Sequence, residues 1–206
     1  MRGGHEAALI GRLQEAEVHT VDVTDQLNEE FRNWPELRFQ VGTVFELLFA
    51  DNSIHGVSYH HVIECVDDPA ASLAELSRVL KPGGWIFIGT PNRHRLVSSV
   101  GAHQQTSWEP TWRNKLNDNL NDWSGRLRGK FRNEFGAHAG FSRGELSKLL
   151  TKDFERQIWV TKPYLQYKYL NHRFAPAVSL FASRPWQNIG VPSIYVFACK
   201  PTEPSI

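Results

Sequence analysis

Asp68-Pro69-Ala70-Ala71-Ser72-Leu73-Ala74-Glu75-Leu76-Ser77-Arg78-Val79-Leu80-Lys81-Pro82-Gly83-Gly84-Trp85-Ile86-Phe87-Ile88-Gly89 reads as a helix, a stop and a strand in succession. Pro69 suits the first helical turn, where a backbone N–H has no partner to lose. Leu73, Leu76, Val79 and Leu80 then fall at helical spacing. Pro82-Gly83-Gly84 ends the helix, because proline cannot continue it and glycine tolerates positive φ. Trp85 to Gly89 is an almost unbroken apolar run, as expected of a strand covered on both faces of a sheet.

Working outward, the same alternation recurs. Upstream, Glu6 to Ala16 has helical patterning, and Val18 to Val23 is a β-rich run. Thr24 is placed to cap a helix carrying Leu27 and Phe31. Leu37–Val41 and Ile54–Val62 are strand candidates. Helices and strands at this spacing predict an α/β sheet with parallel strands. After Pro91-Asn92 the pattern changes. Residues 93–140 are rich in Trp, Asn, Arg and Gly, with amphipathic stretches around Trp112–Leu120 and Trp123–Phe131. Ser142–Leu150 is a helix with Glu145 at its capping-box position. Phe154–Val160 and Ser193–Cys199 are late strands, Pro163–Tyr169 reads as a surface loop with aromatic anchors, and Pro201–Ile206 reads as a frayed tail.

Bulk properties narrow the function classes. A chain of 206 residues fits one domain. A net charge of +1 offers no broad field for DNA. Cys65 and Cys199 form no CxxC motif, so neither a disulfide framework nor a metal site is expected. No apolar run long enough for a membrane span and no secretion signal is read, so the expected location is cytoplasmic.

Phe49-Ala50-Asp51-Asn52-Ser53-Ile54-His55, Val62-Ile63-Glu64-Cys65-Val66-Asp67-Asp68-Pro69, the helix with its Arg78-Val79-Leu80-Lys81-Pro82-Gly83-Gly84 exit and Gly89-Thr90-Pro91-Asn92 together resemble the middle of the class I S-adenosylmethionine-dependent methyltransferases, type 11 group. The resemblance is specific over residues 18–92. It implies a Rossmann-like sheet with helices on both faces and one antiparallel strand near an edge, in a single methyltransferase domain over 1–206, with 93–140 as a helical substrate cover. It implies S-adenosylmethionine as cofactor, lying across the carboxyl ends of the strands. Gly3 and Gly4 would be the remnant of the glycine loop, and Asp22 would accept from the two ribose hydroxyls, unless it merely caps the next helix. Thr43 and Val44 would lie by the adenine, with Thr43 equally readable as a plain loop residue. His60 and His61 would lie near the methionine end, and His61 is the candidate catalytic base. The methyl acceptor would be a small molecule or lipid-type compound. Trp108, Trp112, Trp123, Phe131 and Phe135 would line its pocket or form a satellite core.

The departures matter as much. The first strand and GxGxG loop should precede Glu6–Glu15, where only Gly3-Gly4 stand, so the first, central strand is expected to be missing. Its neighbours, ending at Asp22 and His61, would then lack their shared partner, and weak cofactor binding or poor solubility would follow. A non-catalytic, methyltransferase-like protein that has lost its cofactor loop is thus a second reading. A nicotinamide-dependent Rossmann enzyme is a third, opposed by the lack of GxGxxG. Ile54-His55 and Glu64-Cys65 stand where the family often has Phe-Asp and Glu-His, which weakens any metal-assisted chemistry. Cys65 is expected to be a small buried residue, and His55 to face solvent or cap. The basic run Arg126-Leu127-Arg128-Gly129-Lys130-Phe131-Arg132 reads as a solvated helix face, or as a contact for an anionic acceptor, a lipid head group or RNA.

Overall fold

Asp68 opens the helix that anchors the molecule: its Oδ1 accepts the Ala71 N–H at 2.9 Å, and Pro69 follows in the first turn. The computed structural model describes residues 16–25, 27, 29–96, 112–131, 133–134, 137–168, 175–183 and 186–202. In chain order these form β1 (Val18–Asp22), α1 (Glu29–Arg32), β2 (Leu37–Val41), β3 (Ile54–His60), a 3-10 turn (Ile63–Cys65), α2 (Pro69–Val79), β4 (Leu80–Pro91), α3 (Trp112–Leu127), β5 (Asn133–Glu134), β6 (Ala137–His138), α4 (Arg143–Leu150), β7 (Glu155–Trp159), α5 (Thr161–Lys168), α6 (Ala175–Phe181) and β8 (Ser193–Cys199), with a second 3-10 turn at Trp186–Asn188.

The main sheet runs β3-β4-β8-β7. Strands β3 and β4 are parallel, and β8 is antiparallel to both β4 and β7. This is the mixed α/β sheet with an inserted antiparallel strand that the resemblance implied. β1 and β2 form a separate parallel pair in register Val18↔Leu37 to Asp22↔Val41. Among the described residues no strand ladder joins β1 to β3. Val21 instead reaches the main core by side-chain packing.

Alternation along β4 and β8 assigns the two faces. Ile86 and Ile88, with Val196 and Ala198, are buried under Leu73, Leu76 and Val79 of α2 and Leu146 and Leu150 of α4. The opposite face is aromatic: Phe87 and Phe197 have ring centroids 4.7 Å apart, and Tyr164 of α5 lies 4.0 Å from Tyr195. A salt-bridge clamp ties the loop before β3 to α2. Arg78 is bidentate to Glu75 at 2.8 Å for both bonds and donates to Asp51 and to the Phe49 and Leu47 carbonyls, while Glu75 also accepts the Leu47 N–H.

Four local expectations need correction. The strand expected over Trp85–Gly89 is longer, Leu80–Pro91, so the Lys81–Gly84 stop lies inside β4. Gly83 takes φ +76°, its N–H donates to the Lys200 carbonyl, and the register shifts between Ile54 and Gly56 to absorb the bulge. Pro163–Lys168 is helical rather than a loop, since a proline near a helix start costs no intrahelical bond, and Leu165 is buried. The two amphipathic stretches expected around Trp112–Leu120 and Trp123–Phe131 join in one helix, α3, which stops at Leu127. The helix expected from Thr24 is a single turn, α1, and the Thr24 N–H is taken by Asp22 Oδ1. Gly3, Gly4, the Glu6–Glu15 helix and most of the expected tail lie outside the described residues.

Candidate active site

The carboxyl ends of β3 and β4 bring Thr90 to a pair of residues that are three apart in sequence, His61 and Glu64. His61 directly follows β3 with φ +54°, a conformation that costs a non-glycine residue roughly 1–3 kcal/mol and is held where the surroundings dictate it. Its N–H donates to the Gly89 carbonyl of β4 at 2.7 Å. Its Nδ1 lies 3.0 Å from Oε1 of Glu64, and the other Glu64 oxygen accepts the Thr90 hydroxyl at 3.1 Å. Glu64 is 3% exposed and Thr90 fully buried, whereas the His61 side chain is 41% exposed. A buried carboxylate held from one side by a hydroxyl and from the other by an imidazole fixes the tautomer with the proton on Nδ1. Nε2 is then the acceptor. An imidazole held this way has one nitrogen engaged by a carboxylate and the other able to accept a proton. Sequence reading singled out His61 but not Glu64 or Thr90. The i, i+3 spacing of His61 and Glu64 was the available signal.

His60 touches both His61, whose ring centroid lies 4.4 Å away edge-on, and the aromatic layer. Its ring stacks at 5.7 Å from Tyr195 and 6.2 Å from Phe87. Gly89 sits between them in register, and a Cβ there would meet His60 Cδ2 at 2.2 Å. His60 is thus part of the aromatic layer.

Asp22, Thr43 and Val44 meet at a second corner, where the Gly42 N–H donates to the Asp22 carbonyl at 2.9 Å. Asp22 Oδ1 accepts the Thr24 N–H at 3.2 Å, so the helix-cap alternative becomes a tight turn instead. Thr43 Oγ1 accepts the Phe45 N–H at 3.3 Å, which is the loop-residue role, and Val44 packs on the main core.

Asn92, just past β4, lines a cleft of about 620 Å³ with His94, Ser142, Arg143, Trp159 and Asn188. Arg143 lies 4.6 Å over the Trp159 ring. The aromatic residues expected to line the acceptor pocket are placed differently. Phe131 sits under Arg126 at 4.2 Å and Arg95 at 5.1 Å, and Trp123 is half-exposed with its indole N–H on the Leu96 carbonyl. Trp108, Phe135 and the Trp112 side chain lie outside the described residues, as does the side chain of His138.

Cys65 is exposed rather than buried, because it closes the 3-10 turn on the outside of the Glu64 side chain. Partial desolvation, and then the Glu64 carboxylate beside it, hold its thiol above the ordinary range. Alkylation of Cys65 by iodoacetamide near pH 8 is therefore expected to be slower than that of an unperturbed thiol. Glu64→Gln should accelerate it by removing the like charge. Peptide mass spectrometry over a pH series reads both, and an unchanged or slower rate in the variant would refute the assignment. His55 faces solvent against Lys81, one of the two roles expected for it.

Residues 2–88 match the family described as "Methyltransferase domain". Of the curated relatives, an uncharacterized methyltransferase of Schizosaccharomyces pombe is 44% identical over 48 residues, 23% of this chain and 17% of that protein. A demethylmenaquinone methyltransferase of Chlorobaculum parvum is 33% identical over 89 residues, 43% of this chain and 37% of its own length. The matches thus span well under half of the curated relatives. Phosphoethanolamine N-methyltransferase 2 of Haemonchus contortus superposes over 97% of this chain and 47% of its own, with TM-score 0.60 at 16% identity. The fold is that of the class I, Rossmann-like methyltransferases, and the first part of the chain carries their sequence signature.

Proposed function

We propose that the chain transfers a methyl group from S-adenosylmethionine to a small-molecule or lipid-type acceptor, and that the attacked group is a hydroxyl. The family match and the fold support the reaction class. The hydrogen-bonded series His61–Glu64–Thr90 at the strand ends supports the hydroxyl. An amine acceptor can react as its neutral form, but a hydroxyl must shed a proton during attack, and an oriented imidazole nitrogen takes it. Two of the three proteins named above, one acting on a quinone precursor by its name and one on a phosphorylated ethanolamine, favour a small acceptor over a macromolecule.

Asp22, Thr43 and Val44 would hold the nucleoside end of the cofactor, and Gly3 and Gly4 its methionine end. A carboxylate offers about four acceptor positions, which suits the Asp22 side chain to a pair of hydroxyls. When bound, the cofactor supplies a methyl group on a positively charged sulfur. The protein's part is alignment, exclusion of water and acceptance of the proton at His61 Nε2. The cleft beside Asn92 offers an aromatic wall and a guanidinium for the body of the acceptor.

Calorimetric titration with S-adenosylhomocysteine tests the reading. A Kd near micromolar, about −8 kcal/mol, would support it and would overturn the weak binding expected from the departures in the glycine loop. Asp22→Ala should weaken the affinity at least tenfold by removing charge-assisted hydrogen bonds worth roughly 1.5–3 kcal/mol. No heat from a folded sample would instead support the non-catalytic alternative.

A further inference from the structure

Helix α3 is mounted with its polar side inward. Asp122 takes Arg95 at 2.7 Å, and Arg95 is buried with further bonds to the Ala139 and Asn92 carbonyls. One turn on, Arg126 Nη2 donates to the carbonyls of Arg93 and Arg95 at 2.8 Å each. These bonds fix the helix to the end of β4. The apolar side chains lie on the adjoining, outward face: Leu116, Leu120, Trp123 and Leu127 follow at i, i+4, i+7 and i+11, and are 51%, 59%, 47% and 87% exposed. A surface helix of a globular protein normally does the reverse and turns this stripe to the core. Leu96, beside Trp123, extends the patch and is 44% exposed. Where the stripe ends, Arg128 and Lys130 are exposed.

We propose that α3 lies on an anionic lipid surface, with Leu116, Leu120, Trp123 and Leu127 in the headgroup–acyl boundary and Arg128 and Lys130 on the phosphates. The proposed mode is peripheral, along the helix axis; among the described residues no helix is long and apolar enough to cross a membrane. A short leucine stripe with a tryptophan beside a wide polar face is the pattern of helices that lie in the interface plane. Neither the stripe nor two basic residues suffices alone, but apolar insertion together with charge attraction does. A second copy of the chain fits less well. The stripe offers four side chains, against the roughly 20–30 residues a side of a standard interface. Lipid binding through α3 does not depend on methyl transfer. It would give a lipid-type acceptor a route to the strand ends, since α3 is bonded directly to the residues after β4.

The test is co-sedimentation of the full chain with phosphatidylcholine vesicles prepared with and without phosphatidylglycerol. Binding is expected only with the anionic lipid, and should fall as salt is raised. Arg128→Glu with Lys130→Glu should weaken it at least 25-fold, from about fivefold per charge removed. Leu120→Asp with Leu127→Asp should abolish it while leaving the melting temperature in place, because both side chains are already in water. Absence of binding, equal binding to neutral vesicles, or binding indifferent to the leucine substitutions would overturn the proposal. So would a concentration-dependent dimer that the same leucine substitutions dissociate, which would assign the stripe to a second copy.

Discussion

Gly140→Ala is expected to lower the melting temperature by roughly 10 °C, from a loss of about 3–4 kcal/mol at about 2–4 °C per kcal/mol for a chain of this size. Two costs add. Gly140 has φ +75°, where an alanine is disfavoured by roughly 1–2 kcal/mol. A Cβ there would also fall 1.8 Å from the Pro91 carbonyl oxygen and 2.5 Å from its carbon, and backbone cannot swing aside as a side chain can. That oxygen accepts the Phe141 N–H at 3.0 Å, Arg93 N–H bonds back to the Phe141 carbonyl, and the Arg93 guanidinium holds the Gly140 carbonyl at 2.8 and 3.1 Å. The substitution would therefore open the seam by which the chain after α3 closes onto the end of β4, beside Asn92 of the cleft. Gly129 is the control. It has φ +66°, but a Cβ there would meet nothing within 4 Å, so Gly129→Ala carries the conformational cost alone. Thermal melts of the two variants separate the terms, and equal losses would show that the approach to Pro91 contributes nothing.

The elements legible in the sequence are those whose signals are local. Asp68-Pro69 with Leu73, Leu76 and Val79 located α2, and Ser142 with Glu145 located α4 with its capping box, because caps and apolar spacing are set within a few residues. Leu37–Val41 and Ser193–Cys199 emerge with the expected bounds. What was not legible depends on partners distant in sequence. Gly83 bulges within a ladder instead of turning because Lys200 binds it from the other end of the chain. Leu165 makes α5 a packed helix because β8 lies beneath it. Cys65 was misjudged because its apolar character says nothing about which side of a 3-10 turn it occupies. In the site, His61 was chosen from its place at a strand end. Thr90, from another strand, joins it only when β3 and β4 pair in register His60↔Gly89.

With a hydroxyl acceptor, His61→Ala is expected to lower kcat by about 10²–10⁴ while S-adenosylhomocysteine affinity stays within a few-fold of the parent. His61→Asn should fall equally far, although asparagine tolerates the positive φ and can still reach Glu64, because it has no nitrogen that accepts a proton. Glu64→Gln should lose at least tenfold: the amide still meets the Thr90 hydroxyl, but it no longer offers the charge that pins the imidazole tautomer. The decisive readout is a series of phenols of decreasing pKa. A base matters less as the acceptor ionises more readily, so the penalty for His61→Ala should shrink steadily along the series. A residue that only shapes the pocket would cost every phenol the same factor. A flat penalty would remove His61 from the proton path while leaving the methyl-transfer reading intact, and unaltered kcat in both His61 variants would also return the hydroxyl assignment to an open choice among acceptors. A sloped penalty, with Glu64→Gln parallel to it and smaller, would mean that the buried carboxylate acts through the imidazole and that the proton leaves by way of Nε2.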